Sequence, residues 1–298
     1  MSIYRYSDSL YLIDLPQKIP GFRNFISSWI YFGEKTFLVD PGPKNSIEVL
    51  IESLKEVGAD RIDYVLLTHI HIDHAGGTGE LLKHFKDARV VVNGRGVEHL
   101  INPEKLWKGS LKVLGDMARS YGEIVPVDAS RFAKDAEGAE IIYTPGHAVH
   151  HQSYVIDDYL FAGEALGVYH KFDGLVYHRP ATPPKFVYEI ANTSIQKLKN
   201  YQDRNICFGH FGLSKDGARV ISDYEKQLKM WVQTVEDAVN ETGENFDSVL
   251  EVVSKRLMKT DSSFSLFRKL DEEIRKREMY FFKNAILGMY QYVIEKRI

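Results

Sequence analysis

The chain has 298 residues, a formal net charge of −3 at pH 7, 44 % hydrophobic residues and 12 % aromatic residues. This composition is typical of a globular protein with a full apolar core, and it excludes the strongly basic footprint of a nucleic-acid-binding protein. No apolar run reaches membrane-spanning length, the first residues do not match a secretory signal peptide, and a single cysteine, Cys207, excludes an internal disulfide framework. We therefore expect a cytoplasmic protein without a nucleic-acid or membrane partner.

The N-terminal segment predicts strands followed by a helix. Strands are predicted at residues 10–13, 25–32 and 36–39, with a hairpin turn at Gly33-Glu34. The helical period then runs through residues 46–57. Asp40 directly follows a strand, so it is either a turn or helix-capping residue or a hydrogen-bond acceptor that supports a nearby histidine.

The strand predicted at residues 64–67 runs into a histidine-rich motif, Thr68-His69-Ile70-His71-Ile72-Asp73-His74-Ala75-Gly76-Gly77. Its imidazoles and carboxylate suit zinc, and also iron, manganese or cobalt. At the end of a strand, His69, His71 and Asp73 share one face, and a loop is needed to bring His74 beside Asp73. A polar surface loop is the alternative. Because four ligand-type side chains lie so close together at a strand end, the motif favours a metal site.

Helices and strands alternate in the next segment, which favours a layered α/β sandwich over an all-β fold. A short helix is predicted at residues 79–85, a strand at 89–92, and a helical segment at 94–122 that Pro103 interrupts. Trp107 is interpreted either as a core residue or as part of a substrate groove. Packing is favoured because large aromatic side chains usually contribute to the core.

Further strand ends carry two histidines and one carboxylate. Residues 140–143 precede His147, a hairpin at 152–162 precedes Glu164, and residues 206–208 precede His210. His150 and His151 have open roles as supporting, pocket or surface residues. Strands that deliver such side chains to one edge of a sheet predict a single site, so these positions strengthen the metal interpretation of the first motif.

Four blocks of sequence resemble the metallo-β-lactamase superfamily. They are the motif at residues 68–77, Thr144-Pro145-Gly146-His147, Phe161-Ala162-Gly163-Glu164 and Phe208-Gly209-His210-Phe211. Their order and spacing are similar to the family along about seven-tenths of the chain, and the combination of four blocks is specific. The resemblance is to glyoxalase-II-like and lactonase-like hydrolases. It implies an α/β fold, the αββα four-layer sandwich, with a binuclear metal site at one edge of two sheets.

The resemblance also implies a ligand set for two metal ions, usually zinc, with iron or manganese as alternatives. His69, His71 and His147 match the ligands of the first metal, and Asp73, His74 and His210 match those of the second. Glu164 stands where the family normally has an aspartate that bridges both metals. Because glutamate is one methylene longer, either the strand end sits further back or the bridge is looser and the second site is weakened.

The activity that the resemblance implies is metal-assisted hydrolysis of a small-molecule ester, thioester or lactone. Asp73 is then both a metal ligand and a candidate for orienting the attacking water or accepting its proton. An iron-dependent persulfide dioxygenase-like oxidoreductase is one alternative, since the altered bridge fits a site that differs from the usual zinc pair. A phosphodiesterase or nuclease-type relative is the other, and the slightly acidic charge disfavours it.

Residues 167–180 follow Glu164 closely and have two interpretations. In the first they border the site, so that Tyr169 or His170 donates to a developing oxyanion, and His178 and Arg179 hold an anion. In the second they form a loop that packs its aromatic side chains under a sheet. The loop is favoured because such residues are more often buried for packing.

Helical periodicity dominates the remainder of the chain, with helices predicted at residues 222–240, 246–258 and 266–294. We therefore expect a catalytic domain over residues 1–215 and an all-helical C-terminal extension over residues 216–298. The apolar face of the extension must be buried. It packs on the sandwich, caps the active site or forms a homodimer seam, and the aromatic run Met279-Tyr280-Phe281-Phe282 keeps the last two alternatives open.

Overall fold

The first sheet of the computed structural model, which describes residues 2–297, has seven strands arranged in chain order. They are β1 (Ile3–Arg5), β2 (Leu10–Asp14), β3 (Ser27–Phe32), β4 (Thr36–Val39), β5 (Tyr64–Leu66), β6 (Arg89–Val91) and β7 (Phe132–Ala133). Strands β1 to β4 are antiparallel neighbours, whereas β4 to β7 run parallel. Because parallel neighbours end at the same edge, Asp40 after β4 lies beside the histidine motif after β5.

The second sheet has five strands, and a separate two-stranded hairpin follows its central strand in the chain. The sheet contains β8 (Glu140–Tyr143), β9 (Gln152–Ile156), β10 (Tyr159–Gly163), β13 (Asn205–Phe208) and β14 (Leu213–Ser214), and the hairpin contains β11 (Val168–Phe172) and β12 (Leu175–Arg179). The strand order is β14-β13-β10-β9-β8. Strands β10 and β13 are parallel neighbours, so Glu164 and His210 emerge at the same edge.

Helices occupy the connections and the C-terminal part. They are α1 (Ile47–Glu56), α2 (Ile72–Ala75), α3 (Thr78–Leu81), α4 (Gly94–Ile101), α5 (Glu104–Leu114), α6 (Asp116–Tyr121), α7 (Tyr188–Leu198), α8 (Gly217–Thr242), α9 (Phe246–Thr260) and α10 (Glu272–Glu295). Short 3-10 segments lie at Lys44–Ser46, Ala129–Arg131, Lys199–Tyr201 and Phe264–Lys269. Within residues 2–297, every helix falls short of the length and apolarity needed to cross a membrane.

Alternate side chains of the first sheet enter different cores, as the two-residue period of a strand requires. In β4, Phe37 and Val39 pack between the two sheets, whereas Leu38 packs on the outer side with the buried face of α1. Trp29 of the first sheet meets Phe161 of the second in the core between them. A further core joins the outer face of the second sheet to α7–α10. These layers confirm the predicted αββα sandwich.

The C-terminal helices pack on the outer face of the second sheet. Trp231 of α8 is fully buried in the same apolar cluster as Phe208 of β13 and Phe282 of α10. Packing on the sandwich, the first of the three predicted alternatives, is therefore observed. The division of the chain at residue 215 stays a prediction, and its terminal residues 1 and 298 lie outside the described residues.

Some predicted elements differ from the structure. The third C-terminal helix begins at Glu272 instead of residue 266, because Leu270 is extended and the Asp271 side chain caps the helix by accepting from the Glu273 amide. Helix α3 ends at Leu81, four residues before its predicted end. The interpretation of residues 167–180 as a loop was wrong for most of that segment, since β11 and β12 pair along their whole length.

Candidate metal centre

The ends of four strands bring seven potential metal ligands to one place. Within the described residues, these ligand atoms form two groups whose members lie within 4.8 Å of one another: His69, His71, His147 and Glu164 in one, and Asp73, His74 and His210 in the other. A third group, Asp40, His69 and His74, shares one histidine with each of them. His69 and His71 follow β5, and Asp73 and His74 lie in α2. His147, Glu164 and His210 follow β8, β10 and β13 respectively. All seven predicted metal ligands are therefore brought together.

Hydrogen bonds fix the orientation of the His69 ring. The Thr68 hydroxyl lies 2.6 Å from Asp40 Oδ2 and must donate to it, because a carboxylate only accepts. The same hydroxyl therefore accepts from His69 Nδ1, 3.0 Å away. His69 Nε2 is left with its lone pair directed into the group, buried and without a hydrogen-bond partner among the described residues.

Asp40 orients His74 in the same way. Its Oδ2 accepts from His74 Nδ1 at 3.0 Å, and its Oδ1 accepts from the Thr68 amide at 2.8 Å. His74 Nε2 is then a second buried nitrogen without a hydrogen-bond partner in the described chain. Asp40 is 2 % exposed and adopts a left-handed backbone with φ of 51°. Of its two predicted roles, the structure shows the acceptor that supports a histidine.

His147 presents its other nitrogen to the first group. Its Nδ1 donates to the carbonyl of Ala181 at 3.0 Å, so Nε2 is the nitrogen available as a ligand atom. That atom lies 2.9 Å from His71 Nδ1 and 2.9 Å from Glu164 Oε2. A cation shared by these three atoms satisfies them together.

The carboxylate of Glu164 lies between the two groups. Its Oε2 is 3.4 Å from His69 Nε2 and 3.5 Å from His74 Nε2, and its Oε1 is 3.2 Å from His210 Nε2. A register shift between β10 and β13 and a left-handed Gly163, with φ of 56°, bend the chain just before it. This bend sets the position from which the longer glutamate side chain starts.

His151 holds the backbone of Glu164 in place. Its Nε2 accepts from the Glu164 amide at 3.0 Å, so its Nδ1 carries the proton and donates to the Thr144 hydroxyl at 3.0 Å. The Thr144 hydroxyl donates in turn to Ser153, whose hydroxyl donates to the Ala162 carbonyl. Of the roles left open for His151, the structure shows support of the residue at the bridge position.

Burial and mutual repulsion set the charges of the centre. Burial, with the neighbouring imidazoles, holds the pKa of both His69 and His71 well below the ordinary histidine value, so both are neutral. Burial also opposes charge on Glu164, but His147 and His210 hold the pKa of this carboxyl well below its usual range. For His74, burial is outweighed by Asp73, Asp40 and Glu164, which raise its pKa well above the ordinary value. The carboxylates that favour a proton on His74 also favour a cation in its place, and beside the neutral imidazoles of His69 and His71 they form a donor set that suits a divalent cation.

The unpartnered imidazole nitrogens of the centre show directly that these residues suit a metal ion. Buried imidazole nitrogens without a partner are costly, and the unpartnered Nε2 atoms of His69 and His74 both lie on the side of their rings that faces Glu164. Metal ligation accounts for both atoms. The hydrogen bonds from their opposite nitrogens are the kind that orient histidine ligands in metal sites.

Comparison with known families agrees with this geometry. Residues 22–210, more than half of the chain, match the model of the metallo-beta-lactamase superfamily. The chain belongs to the metallo-beta-lactamase superfamily. This membership confirms the predicted resemblance and the fold. The superfamily consists mostly of hydrolytic metalloenzymes, and the cluster of histidine, aspartate and glutamate fits a metal site.

Individual superfamily members differ in how much of the chain they match. The metallo-beta-lactamase fold-containing protein ST1585 of Sulfurisphaera tokodaii is 31 % identical over 268 residues, covering 85 % of this chain and 98 % of that protein. The crystal structure of ST1585 from Sulfolobus tokodaii has a TM-score of 0.67, covering 94 % of this chain and 98 % of that chain at 26 % identity. An N-acyl homoserine lactonase of Bacillus thuringiensis is 27 % identical, covering 59 % of this chain and 67 % of the lactonase. A hydroxyacylglutathione hydrolase of Psychromonas ingrahamii is 26 % identical, covering 58 % of this chain and 59 % of that enzyme.

The predicted substrate-binding residues lie mostly away from the ligands. Tyr169 stacks on Phe208 in the core at 4.4 Å, and the His178 ring donates to the Leu166 carbonyl at 2.7 Å. His170 is buried and stacks on Phe172. A cavity lies above the metal-ligand candidates. Arg179 borders this cavity, but its side chain is buried and pairs with Glu278. Trp107 packs against the core on the helical side of the first sheet, as the favoured interpretation predicts.

Helix α10 contributes to the site, which the sequence indicated only through its aromatic run. Phe281 and Ala285 line the cavity above the ligands, whereas Phe282 is buried in the core. The Tyr280 hydroxyl donates to the Val113 carbonyl of α5 at 3.0 Å. The extension therefore packs on the sandwich and also borders the site, and the homodimer seam stays a prediction.

Proposed function

We propose that this protein is a zinc-dependent hydrolase that holds two metal ions per chain and cleaves an ester, thioester or lactone in the cytoplasm. The observation that carries the proposal is the pair of buried, unpartnered Nε2 atoms on His69 and His74, whose opposite nitrogens are held so that both Nε2 atoms are directed into one centre. The relatives named N-acyl homoserine lactonase and hydroxyacylglutathione hydrolase support this substrate range.

His69, His71 and His147 hold one ion in this proposal, Asp73, His74 and His210 hold the other, and Glu164 lies between them. When bound, such ions supply a water of lowered pKa and polarise the substrate carbonyl. Asp73 is the proton acceptor for the attacking water, because its side chain is 17 % exposed and borders the cavity, whereas that of Glu164 is 6 % exposed. The apolar walls of the cavity exclude bulk water from the reacting groups.

Metal analysis together with hydrolysis assays tests the proposal. Protein purified without chelator is expected to contain about two zinc ions per chain. His71→Ala is expected to lose hydrolysis of thioester and lactone substrates, whereas His84→Ala, which changes an exposed histidine outside the centre, is expected to retain it. Protein without bound metal would overturn the proposal. A single iron ion with oxygen uptake on a thiol persulfide would replace it with a dioxygenase activity.

A further inference from the structure

The cavity above the ligands is larger than the reacting group of an ester requires. It has a volume of about 900 Å³, near the upper end of the range for small-molecule sites, and Asp73, Glu164 and His210 lie among its lining residues. Its other walls come from α4, α5, α6, α7 and α10 and from the segments at residues 143–150 and 181–187. The site therefore has room for a substantial substituent on either side of the bond that is cleaved.

Helix α5 lines this cavity with a continuous stripe. The stripe consists of neighbouring pairs four residues apart, Lys105 and Leu106, Gly109 and Ser110, and Val113 and Leu114. From Lys105 to Val113 it extends about 12 Å along the helix axis. It begins with a cation and ends with apolar side chains, where the Tyr280 hydroxyl of α10 contacts the Val113 carbonyl.

Exposed apolar side chains are concentrated around the same cavity. Among the described residues, four of the six large apolar side chains that are exposed line it: Val113, Tyr143, Val149 and Ile190. Val113 is 62 % exposed and Val149 is 56 % exposed. A local concentration of exposed apolar surface marks a binding site, because leaving it in water is unfavourable. An apolar chain that lies in the cavity covers these side chains.

The rim of the cavity also carries cationic side chains that form no ion pair within the described residues. Arg95, Lys105 and Lys185 border the cavity, and within residues 2–297 none of them forms an ion pair. The only carboxylates that line the cavity in the described chain are Asp73 and Glu164, both in the metal centre. Charge at the rim is therefore positive, which favours an anionic group on the bound molecule.

Gly109 keeps the middle of the stripe open. A Cβ atom added at this position would meet no atom within 4 Å, so the space beside the helix is empty there. Glycine inside a helix costs about 0.5–1 kcal/mol relative to alanine. A side chain at this position would project into the path between the cationic and the apolar ends of the stripe.

We propose that the substrate is a long-chain acyl ester or thioester that carries an anionic group, and that its acyl chain lies along α5 past Gly109. The proposal rests on the proposed hydrolase function. The anionic group pairs with the rim cations Arg95 and Lys105, the carbonyl lies at the metal centre, and the chain covers the exposed apolar side chains.

Hydrolysis of acyl thioesters of different length tests the chain site. For the parent protein, kcat/KM is expected to be about tenfold or more higher for dodecanoyl-coenzyme A than for acetyl-coenzyme A. Gly109→Phe is expected to lower kcat/KM for the dodecanoyl thioester about tenfold, with little change for the acetyl thioester. The matched control Lys112→Phe adds the same ring to an exposed position of α5 outside the cavity and should change neither value. Equal kcat/KM for both lengths in the parent, or an equal loss for both in Gly109→Phe, would overturn the proposal.

Binding without hydrolysis separates this proposal from the proposed function. Dodecanoate below its micellar concentration is expected to bind the purified protein more tightly than acetate does, measured by calorimetry. Gly109→Phe should weaken dodecanoate binding about tenfold, whereas Lys112→Phe should leave it unchanged. Lys105→Glu should weaken the binding of coenzyme A, which carries the anionic phosphates of the thioester substrate, whereas Lys112→Glu should not. If no thioester is hydrolysed but this pattern holds, the hydrolase function fails and the binding site stands. If dodecanoate binds no better than acetate, the binding site fails, whatever the activity.

Discussion

The ring of Phe25 lies flat against the imidazole of His210, with 4.1 Å between the ring centroids and 10° between the ring planes. The guanidinium of Arg277, on α10, lies 3.8 Å from the centroid of the same phenylalanine ring. Both groups cannot occupy one face at these distances, so Phe25 is held between them. A residue of the C-terminal helix thus supports a candidate metal ligand through one aromatic ring.

This stack predicts a role for Phe25 in metal binding. Phe25→Leu removes the flat surface against the His210 ring, so we expect the metal affinity of the group with Asp73 and His74 to fall up to about tenfold. Elemental analysis and competition with a chelator measure the change. Phe22→Leu is the matched control, because Phe22 meets Phe25 edge-on at 5.3 Å and is equally buried. Equal metal affinities in the two variants would show that the stack does not support His210.

Asp40 is predicted to control affinity through His69 and His74. Asp40→Asn replaces one acceptor oxygen by an amide, which cannot accept from both the Thr68 hydroxyl and His74 Nδ1. Asparagine tolerates the left-handed backbone at this position. We expect metal affinity to fall about 10–100-fold, as for other supporting residues of metal sites. Asp63→Asn, which alters an acceptor of the Thr36 amide away from the centre, should retain the parent affinity.

The buried carboxylate of Glu278 is predicted to be a major determinant of stability. It accepts from the side chains of both Arg179 and Arg277, and it has no exposed surface. Glu278→Gln leaves two buried cations without their counter-charge, so we expect the free energy of unfolding to fall by about 3–5 kcal/mol. Denaturant titration measures this change. Glu272→Gln, which breaks an exposed pair with Lys276, should cost less than about 1 kcal/mol.

The pH dependence of the Glu278 effect follows from its pKa. Burial opposes its ionisation, but Arg179 and Arg277 lower its pKa to about 2. A carboxylate with a lowered pKa stabilises the fold above its ordinary pKa and loses this contribution as the pH falls through the lowered value. The difference between the parent and Glu278→Gln should therefore be constant around neutral pH. A difference that changes steadily with pH in that range would contradict the assignment.

The buried carboxyl group of Asp14 is predicted to affect stability with the opposite pH dependence to that of Glu278. It is 6 % exposed, its Oδ1 has no hydrogen-bond partner among the described residues, and burial raises its pKa from 3.8 to about 6. A carboxyl group with a raised pKa contributes stability at pH values below its ordinary pKa. This contribution is lost as the pH rises through about 6. We therefore expect Asp14→Asn to be more stable than the parent above about pH 7, with the difference vanishing below about pH 4. Asp8→Asn, on an exposed side chain, should show no such trend.

The metal-ligand candidates could be predicted from the sequence because local rules bring them together. Apolar runs of strand length end within four residues before His69, His147, Glu164 and His210, and strand ends of neighbouring parallel strands meet at one edge. The hydrophobic pattern and the strand propensity of these runs are enough to place the ligand candidates at strand ends. The αββα fold followed from the family resemblance that these same residues carry.

Apart from the role of Asp40, which was one of two predicted alternatives, the supporting contacts could not be predicted because they join residues far apart in the chain. The Ser27 hydroxyl donates to the His210 carbonyl, and the Trp29 indole donates to the Phe208 carbonyl. The Arg277 guanidinium contacts the ring of Phe25, which lies near the other end of the sequence. The same reason explains the incorrect reading of residues 167–180. Whether Tyr169 and His178 face a substrate or a core depends on the register of β11 with β12 and on what packs above them.

The sequence by itself determined which side chains can bind a metal and that they lie at strand ends, because strand period and strand length are local properties. Only the tertiary structure decided which nitrogen of each histidine is directed into the centre, because this depends on partners such as Asp40 and the Ala181 carbonyl. It also decided that α5 and α10 enclose a long apolar cavity with a cationic rim, since a helical stripe acquires its neighbours only when the layers pack.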